Sequence, residues 1–147
     1  ALGGLKYTLV AILSFAILRF FTFGLHCQSG LMCLLLSVFL DVMSPILIKD
    51  IYVGTIPRCI LMITYVFLIF KYAPADTENV PVLQKKDRRK RKIWSFVIAG
   101  IELVIAIVIP YKVISNMIII GIIVQTLTIT KLAYKITKNK YGYEVYG

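Results

Sequence analysis

Five apolar runs, at about residues 2–18, 31–48, 52–70, 93–109 and 113–130, dominate this chain. Each approaches the ~20 residues that a helix needs to cross ~30 Å of hydrocarbon. None alternates polar and apolar side chains at period two, which argues against β-barrel strands. Composition agrees: 59% of the 147 residues are hydrophobic and 16% are charged, against about 25% charged in a typical soluble domain. Mean hydropathy is +0.85. A soluble fold of this size leaves about a third of its chain surface exposed and could not hide that much apolar side chain. The sequence therefore predicts an all-α, polytopic transmembrane helix bundle of about five spans, forming one domain over 1–147. It excludes an ordinary cytosolic enzyme, a disordered tail and a disulfide scaffold.

The net charge of +10 is localised. Lys85, Lys86, Arg88, Arg89, Lys90, Arg91 and Lys92 crowd the end of a polar loop predicted over 71–92, and Lys131, Lys135, Lys138 and Lys140 line a tail over 131–147. Basic clusters beside apolar runs are cytoplasmic anchors. They point to membrane lipid, not nucleic acid, as the partner of this charge. With loop, tail and Arg19 on one side, 13 basic residues face 2, Lys49 and Lys112, on the other. The positive-inside rule then puts the loop, the tail and the stretch 20–30 at the cytoplasmic face, with residue 1 outside. The first run lacks the basic flank and small-residue cleavage site of a signal peptide.

The sole histidine, His26, precedes Cys33 by seven residues in the stretch Arg19-Phe-Phe-Thr-Phe-Gly24-Leu-His26-Cys27-Gln28-Ser29-Gly30-Leu-Met-Cys33. An imidazole that takes a thiol proton makes a nucleophile able to attack a carbonyl, provided the two side chains meet within about 3–4 Å. On one straight helix, seven residues lie roughly 10 Å apart. Gly24 and Gly30 flank the segment, and Gln28-Ser29-Gly30 reads as a turn. Ser29 would cap a helix that starts near Gly30. Cys33 would then sit near a helix N-terminus, where the dipole favours a thiolate. From these residues alone, an interfacial histidine and a cysteine that serves only packing remain open readings. Three cysteines (Cys27, Cys33, Cys59) fit no disulfide or zinc framework. His26, Cys27 and Cys33 offer three ligands without a fourth. No metal or cofactor is expected.

Asp41, Arg58 and Glu102 are charges within spans. Such charges usually face the bundle interior or a wet cavity. Asp41 is roughly 12 Å deeper than Cys33 along a helix, too far to orient His26, and is expected to pair with Arg58. These three charges also motivate an alternative: a small membrane transporter or channel without peptidase activity. Trp94, Tyr134, Tyr141, Tyr143 and Tyr146 are expected at the membrane interface.

Two blocks carry a resemblance. The first is Arg19, Gly24, His26, Ser29, Cys33, Ser37 and Pro45. The second is Tyr72-Ala73-Pro74-Ala75-Asp76-Thr77-Glu78-Asn79-Val80-Pro81, followed by the basic run. Together they resemble the accessory gene regulator B (AgrB) family of bacterial quorum sensing, with matching segment order along nearly the whole chain. Phe23-Gly24 replaces the Gly-Gly of many members, and Cys27 replaces an Ala. The resemblance implies a multi-pass cysteine endopeptidase of the bacterial cell membrane, with its active site near the cytoplasmic face. It would cut the C-terminal part from an AgrD-like precursor peptide through a thioester on Cys33, with His26 as base. Cyclisation to a thiolactone or lactone would follow. The substrate-binding residues then expected are Arg19, Gln28, Ser29, Pro74, Asp76, Thr77, Glu78, Lys85, Lys86, Arg88 and Arg89. A homodimer is a further implication. No third catalytic residue is assigned.

Overall fold

The computed structural model describes residues 2–24, 31, 35, 38, 39, 42, 43, 46, 47, 50, 51, 53–77 and 81–142. Five helices are continuous: α1 (Leu2–Thr22), α2 (Thr55–Tyr72), α3 (Lys85–Val108), α4 (Lys112–Ile129) and the short α5 (Lys131–Ile136). No strand occurs among the described residues; a parallel bridge pairs Phe23 with Ala75. The predicted run 31–48 lies largely outside the described residues. Those described within it, from Leu31 to Leu47, are helical.

The helix ends follow from local chemistry. Thr22 returns its hydroxyl to the Leu18 carbonyl at 2.9 Å, and the chain then leaves α1 through Phe23 and Gly24, both at positive φ (58° and 130°). In α2, Pro57 occupies the first turn, where its missing N–H is not needed. Pro74 follows its end. Pro110 pushes Ile109 into extended backbone (φ −64°, ψ 126°) and so stops α3. Thr130, extended at φ −73° and ψ 151°, separates α4 from α5 and caps the latter.

Two predicted boundaries move. α1 continues past Arg19 to Thr22, beyond the first run's expected end near residue 18. The loop expected over 71–92 ends early, because α3 starts at Lys85. Lys and Arg are good helix formers. Asp87 in the first turn suits the positive end of the helix dipole. The basic run is thus two helical turns in line with the apolar segment that follows.

α1, α2 and α4 are long and apolar enough to cross a membrane. α1, α2 and α4 point the same way and α3 runs against them. At one end the residues after α1 bridge those after α2, Arg91 near the start of α3 reaches Phe20, and Tyr134 beyond α4 reaches Ala75. At the other end Arg58 of α2 donates to Ser115 Oγ and Asn116 Oδ1 of α4, each at 3.1 Å. Ser115 in turn donates to the Ala106 carbonyl of α3.

α4 is the central helix. It packs tightly on α1 at Gly121, where a Cβ would stand 2.7 Å from Ser14 Oγ and 2.8 Å from the Ala11 carbonyl oxygen. Small residues let helix backbones approach, and this contact needs one. Beside it, the Ser14 hydroxyl donates to Glu102 Oε2 at 2.7 Å, tying α1 to α3. Leu18, Met62, Ile69, Ile118, Ile122 and Ile129 form the centre of the core. The outer faces are apolar too: Leu5, Leu9, Leu13 and Ile17 on α1, and Ile56, Ile60, Ile63 and Phe67 on α2, are all exposed. Apolar patches this extensive are rare on water-facing surfaces and natural ones against lipid.

Candidate functional site

The end of α1 is where the Gly24-x-His26 motif begins. It is held by backbone and side chain together. Gly24 N–H donates to the Ala75 carbonyl at 3.0 Å, and Ala75 N–H donates to the Thr22 carbonyl at 2.8 Å. From α4, the Gln125 amide donates to Thr22 Oγ1 at 2.5 Å and to the Phe23 carbonyl. Thr128 Oγ1 lies 3.2 Å from Gln125 Oε1. Glycine is required at 24 for two reasons. Its φ of +130° is one that L side chains rarely adopt, and a Cβ would stand 2.7 Å from Thr128 Oγ1. The glycine of the motif therefore has a packing cause in this fold.

The second motif block lies directly against this turn. Ala73, Pro74, Ala75, Asp76 and Thr77 are all buried. Asp76 Oδ2 lies 2.7 Å from Arg88 Nη2 and accepts from Val82 N–H at 3.0 Å. A buried carboxylate needs such partners, because charge is costly to remove from water. The tail closes over the loop. Tyr134 hydroxyl donates to the carbonyls of Ala75 (2.7 Å) and Asp76 (3.1 Å). Tyr141 stacks on Tyr134 at 4.0 Å between ring centroids and donates to the Ile129 carbonyl at 2.9 Å. At Gly142 a Cβ would meet Asp76 Oδ2 at 2.6 Å, so the tail passes tightly.

The first turns of α3 supply the charged wall. Arg91 places its guanidinium 4.3 Å from the Phe23 ring centroid and donates to the Phe20 carbonyl at 3.4 Å. That carbonyl belongs to the last turn of α1, where orphan acceptors and the helix dipole favour a cation. Phe21 stacks against Trp94 at 6.1 Å. Phe20, Phe21, Asp87, Lys90, Arg91 and Trp94 line one open pocket beside the turn. Pro81, Val82, Leu83 and Gln84 continue it with Phe23.

The expected site residues divide accordingly. Arg19, Pro74, Asp76, Thr77 and Arg88 gather at this end of the bundle. Arg19 is half-buried, with its guanidinium 5.6 Å from the Phe15 ring centroid and its Nη1 beside Gly24. Lys85, Lys86 and Arg89 are exposed on the first turns of α3. His26, Cys27, Gln28, Ser29, Cys33 and Glu78 lie outside the described residues, as does Asp41, the expected partner of Arg58. Arg58 itself is engaged by Ser115 and Asn116. Two expectations are corrected. Tyr134 and Tyr141 do not face outward as interfacial anchors; they are buried at 2% and 4% exposure, because their hydroxyls serve the carbonyls of the loop and of α4. Gln125 was passed over in the sequence. Its signal was an amide inside an apolar run, which usually marks a contact between helices.

These features define a class: a small all-α protein with helices able to cross a membrane, closed at one end by a buried polar knot from which a Gly-x-His stretch departs. The model of the accessory gene regulator B family matches residues 1–129. The chain belongs to the AgrB family, as the two motif blocks led one to expect. An AgrB-like protein of Listeria innocua is 34% identical over 152 residues, covering 98% of this chain and 71% of that protein. An AgrB-like protein of Clostridium acetobutylicum is 27% identical over 139 residues, with coverages of 95% and 66%. Accessory gene regulator protein B of Staphylococcus aureus is 28% identical over 130 residues, with coverages of 87% and 67%. No solved structure matches the chain.

Proposed function

We propose that this chain is a membrane-embedded cysteine endopeptidase that cleaves the C-terminal part of an AgrD-like precursor peptide and assists its cyclisation. The observation that carries the reading is membership of the AgrB family over residues 1–129, a range that spans positions 26 and 33. His26 takes the Cys33 thiol proton, and the thiolate attacks the scissile carbonyl. The amide C–N bond breaks, the imidazolium returns the proton to the leaving amine, and the peptide remains as a thioester. An internal Cys or Ser of the peptide then attacks that thioester, closes the ring and releases Cys33. A thiolactone closure exchanges one thioester for another and needs no ATP. Water must be kept away, or hydrolysis competes.

The knot described above supports this reading in a specific way. It holds Phe23 and Gly24, three and two residues before His26, through contacts from three separate parts of the chain. A general base works only at defined geometry, and a misplacement of about 1 Å costs up to ~100-fold. The basic first turns of α3 stand beside that turn and suit an acidic precursor tail, raising its local concentration. The basic end of the bundle faces the cytoplasm, consistent with the arrangement of Arg19, Lys71, Lys85–Lys92 and Lys131 at one end.

The test uses the protein in lipid vesicles with a precursor peptide encoded beside it, followed by mass spectrometry. Wild type and Cys27→Ala are expected to cleave and to show a covalent adduct on Cys33. Cys33→Ala and His26→Ala are expected to lose cleavage. Cleavage that survives Cys33→Ala would overturn the mechanism. Vesicle flux that also survives that substitution would make transport the leading account.

A further inference from the structure

We infer that a second basic pocket, on the side of α3 turned away from α1, is a binding site for the headgroup of an anionic phospholipid. Lys71, Tyr72, Pro74, Lys92, Lys131 and Tyr141 line it together with Arg88, around a volume of about 350 Å³. Lys71, Lys92 and Lys131 come from three chain-distant elements, the end of α2 and the starts of α3 and α5. Among the described residues, no carboxylate lines the pocket. Arg88 is already bound to Asp76 behind the wall, so the three lysines supply the net charge.

Their level in the bundle favours lipid. Lys71 follows the apolar run of α2, Lys92 immediately precedes Ile93, and Lys131 follows Thr130 at the end of α4. All three therefore stand where apolar side chains give way to polar ones. That is the depth of lipid phosphates, and basic pockets between helices at that depth bind anionic headgroups. The pocket also continues onto an apolar face. Lys92 Nζ lies 4.6 Å from the Phe70 ring centroid, and Phe70 meets Phe96 edge-on at 5.5 Å. Both rings are about half exposed, as is Phe67 nearby on α2. A phosphodiester held by the lysines would lay its acyl chains along these rings. A soluble acidic peptide would leave that face uncovered.

The experiment is native mass spectrometry of the full chain, released from vesicles of phosphatidylcholine with added phosphatidylglycerol. Wild type is expected to retain one phosphatidylglycerol. The variant Lys71→Gln/Lys92→Gln/Lys131→Gln should bind it roughly a hundredfold more weakly, since each cation near the surface contributes comparably. The equally neutralised variant Lys135→Gln/Lys138→Gln/Lys140→Gln should bind as wild type. A triple Lys→Arg variant at the pocket, which keeps charge and fold, should retain the lipid. Equal loss in both Gln variants would overturn the site, because binding would then follow net charge alone. Displacement by inorganic phosphate at matching concentration would assign the pocket to a free anion. Displacement by a glutamate-rich peptide, with the same lysine dependence, would assign it to a peptide. Either displacement refutes the lipid assignment. No readout depends on peptidase activity, so failure here leaves the proposed function standing, and the reverse also holds.

Discussion

α4 and α2 are equally long, and each is apolar enough to cross a membrane. Yet 67% of the α4 span is buried inside the protein, against 11% of α2. In water, apolar surface goes inward. In a bilayer the lipid tails are as apolar as Leu, so hydrophobicity does not rank the helices. What separates them here is small and polar residues. α4 carries Gly121 against α1, Ser115 and Asn116 at one end, and Gln125 and Thr128 at the other. α2 offers Arg58 inward and Ile56, Ile60, Ile63 and Phe67 outward. The centre of this bundle is therefore specified by shape and hydrogen bonds.

The strongest attempt to break that comparison is Gly121→Leu. A side chain there must push Ala11 and Ser14 of α1 away from α4, so a loss of about 3 kcal/mol is expected from overpacking. Reversible unfolding in bicelles checks it. If Gly121→Leu is tolerated, the close approach of α1 and α4 is not what centres the bundle. Gln125→Leu comes next. It strips donors from Thr22 and the Phe23 carbonyl, at about 1–3 kcal/mol. Precursor cleavage per folded molecule should fall by roughly tenfold or more, since the turn before His26 loses a support. Gln125→Asn reads out the same pair with a shorter reach. Normal cleavage by Gln125→Leu would confine that residue to stability. The smallest effect is expected on the outer face of α2. Ile60→Ala and Ile63→Ala should each stay within about 0.5 kcal/mol, as surface changes do. A large loss from either would mean that this face is covered by protein.

Much of the architecture was legible before any coordinates. Long apolar runs require helices where the surroundings are hydrocarbon, and Pro110 required a break between α3 and α4. The two motif blocks led to the family without reference to contacts. The start of α3 was misread because charge density suggested a loop, while Lys and Arg are good helix formers whose side chains reach solvent from a helix as easily as from a loop. Tyr134 and Tyr141 were misread for a related reason. A tyrosine near a membrane edge satisfies its hydroxyl equally well with water or with a buried carbonyl, and composition does not distinguish the two. The candidate site was legible as a list of residues. The grouping of Thr22 and Gly24 with Ala75 and with Gln125 and Tyr134 was not, because these three stretches lie far apart in the chain.

By itself, the sequence determined the all-helical class, the basic end of the bundle and the AgrB family, since length, charge and local motifs are properties of neighbouring residues. Only the tertiary structure decided which helix lies at the centre, why position 24 must be glycine, and that Asp76 is a buried partner of Arg88. Those outcomes depend on which distant backbones approach within a hydrogen bond of each other, and that distance is set by packing of the whole chain.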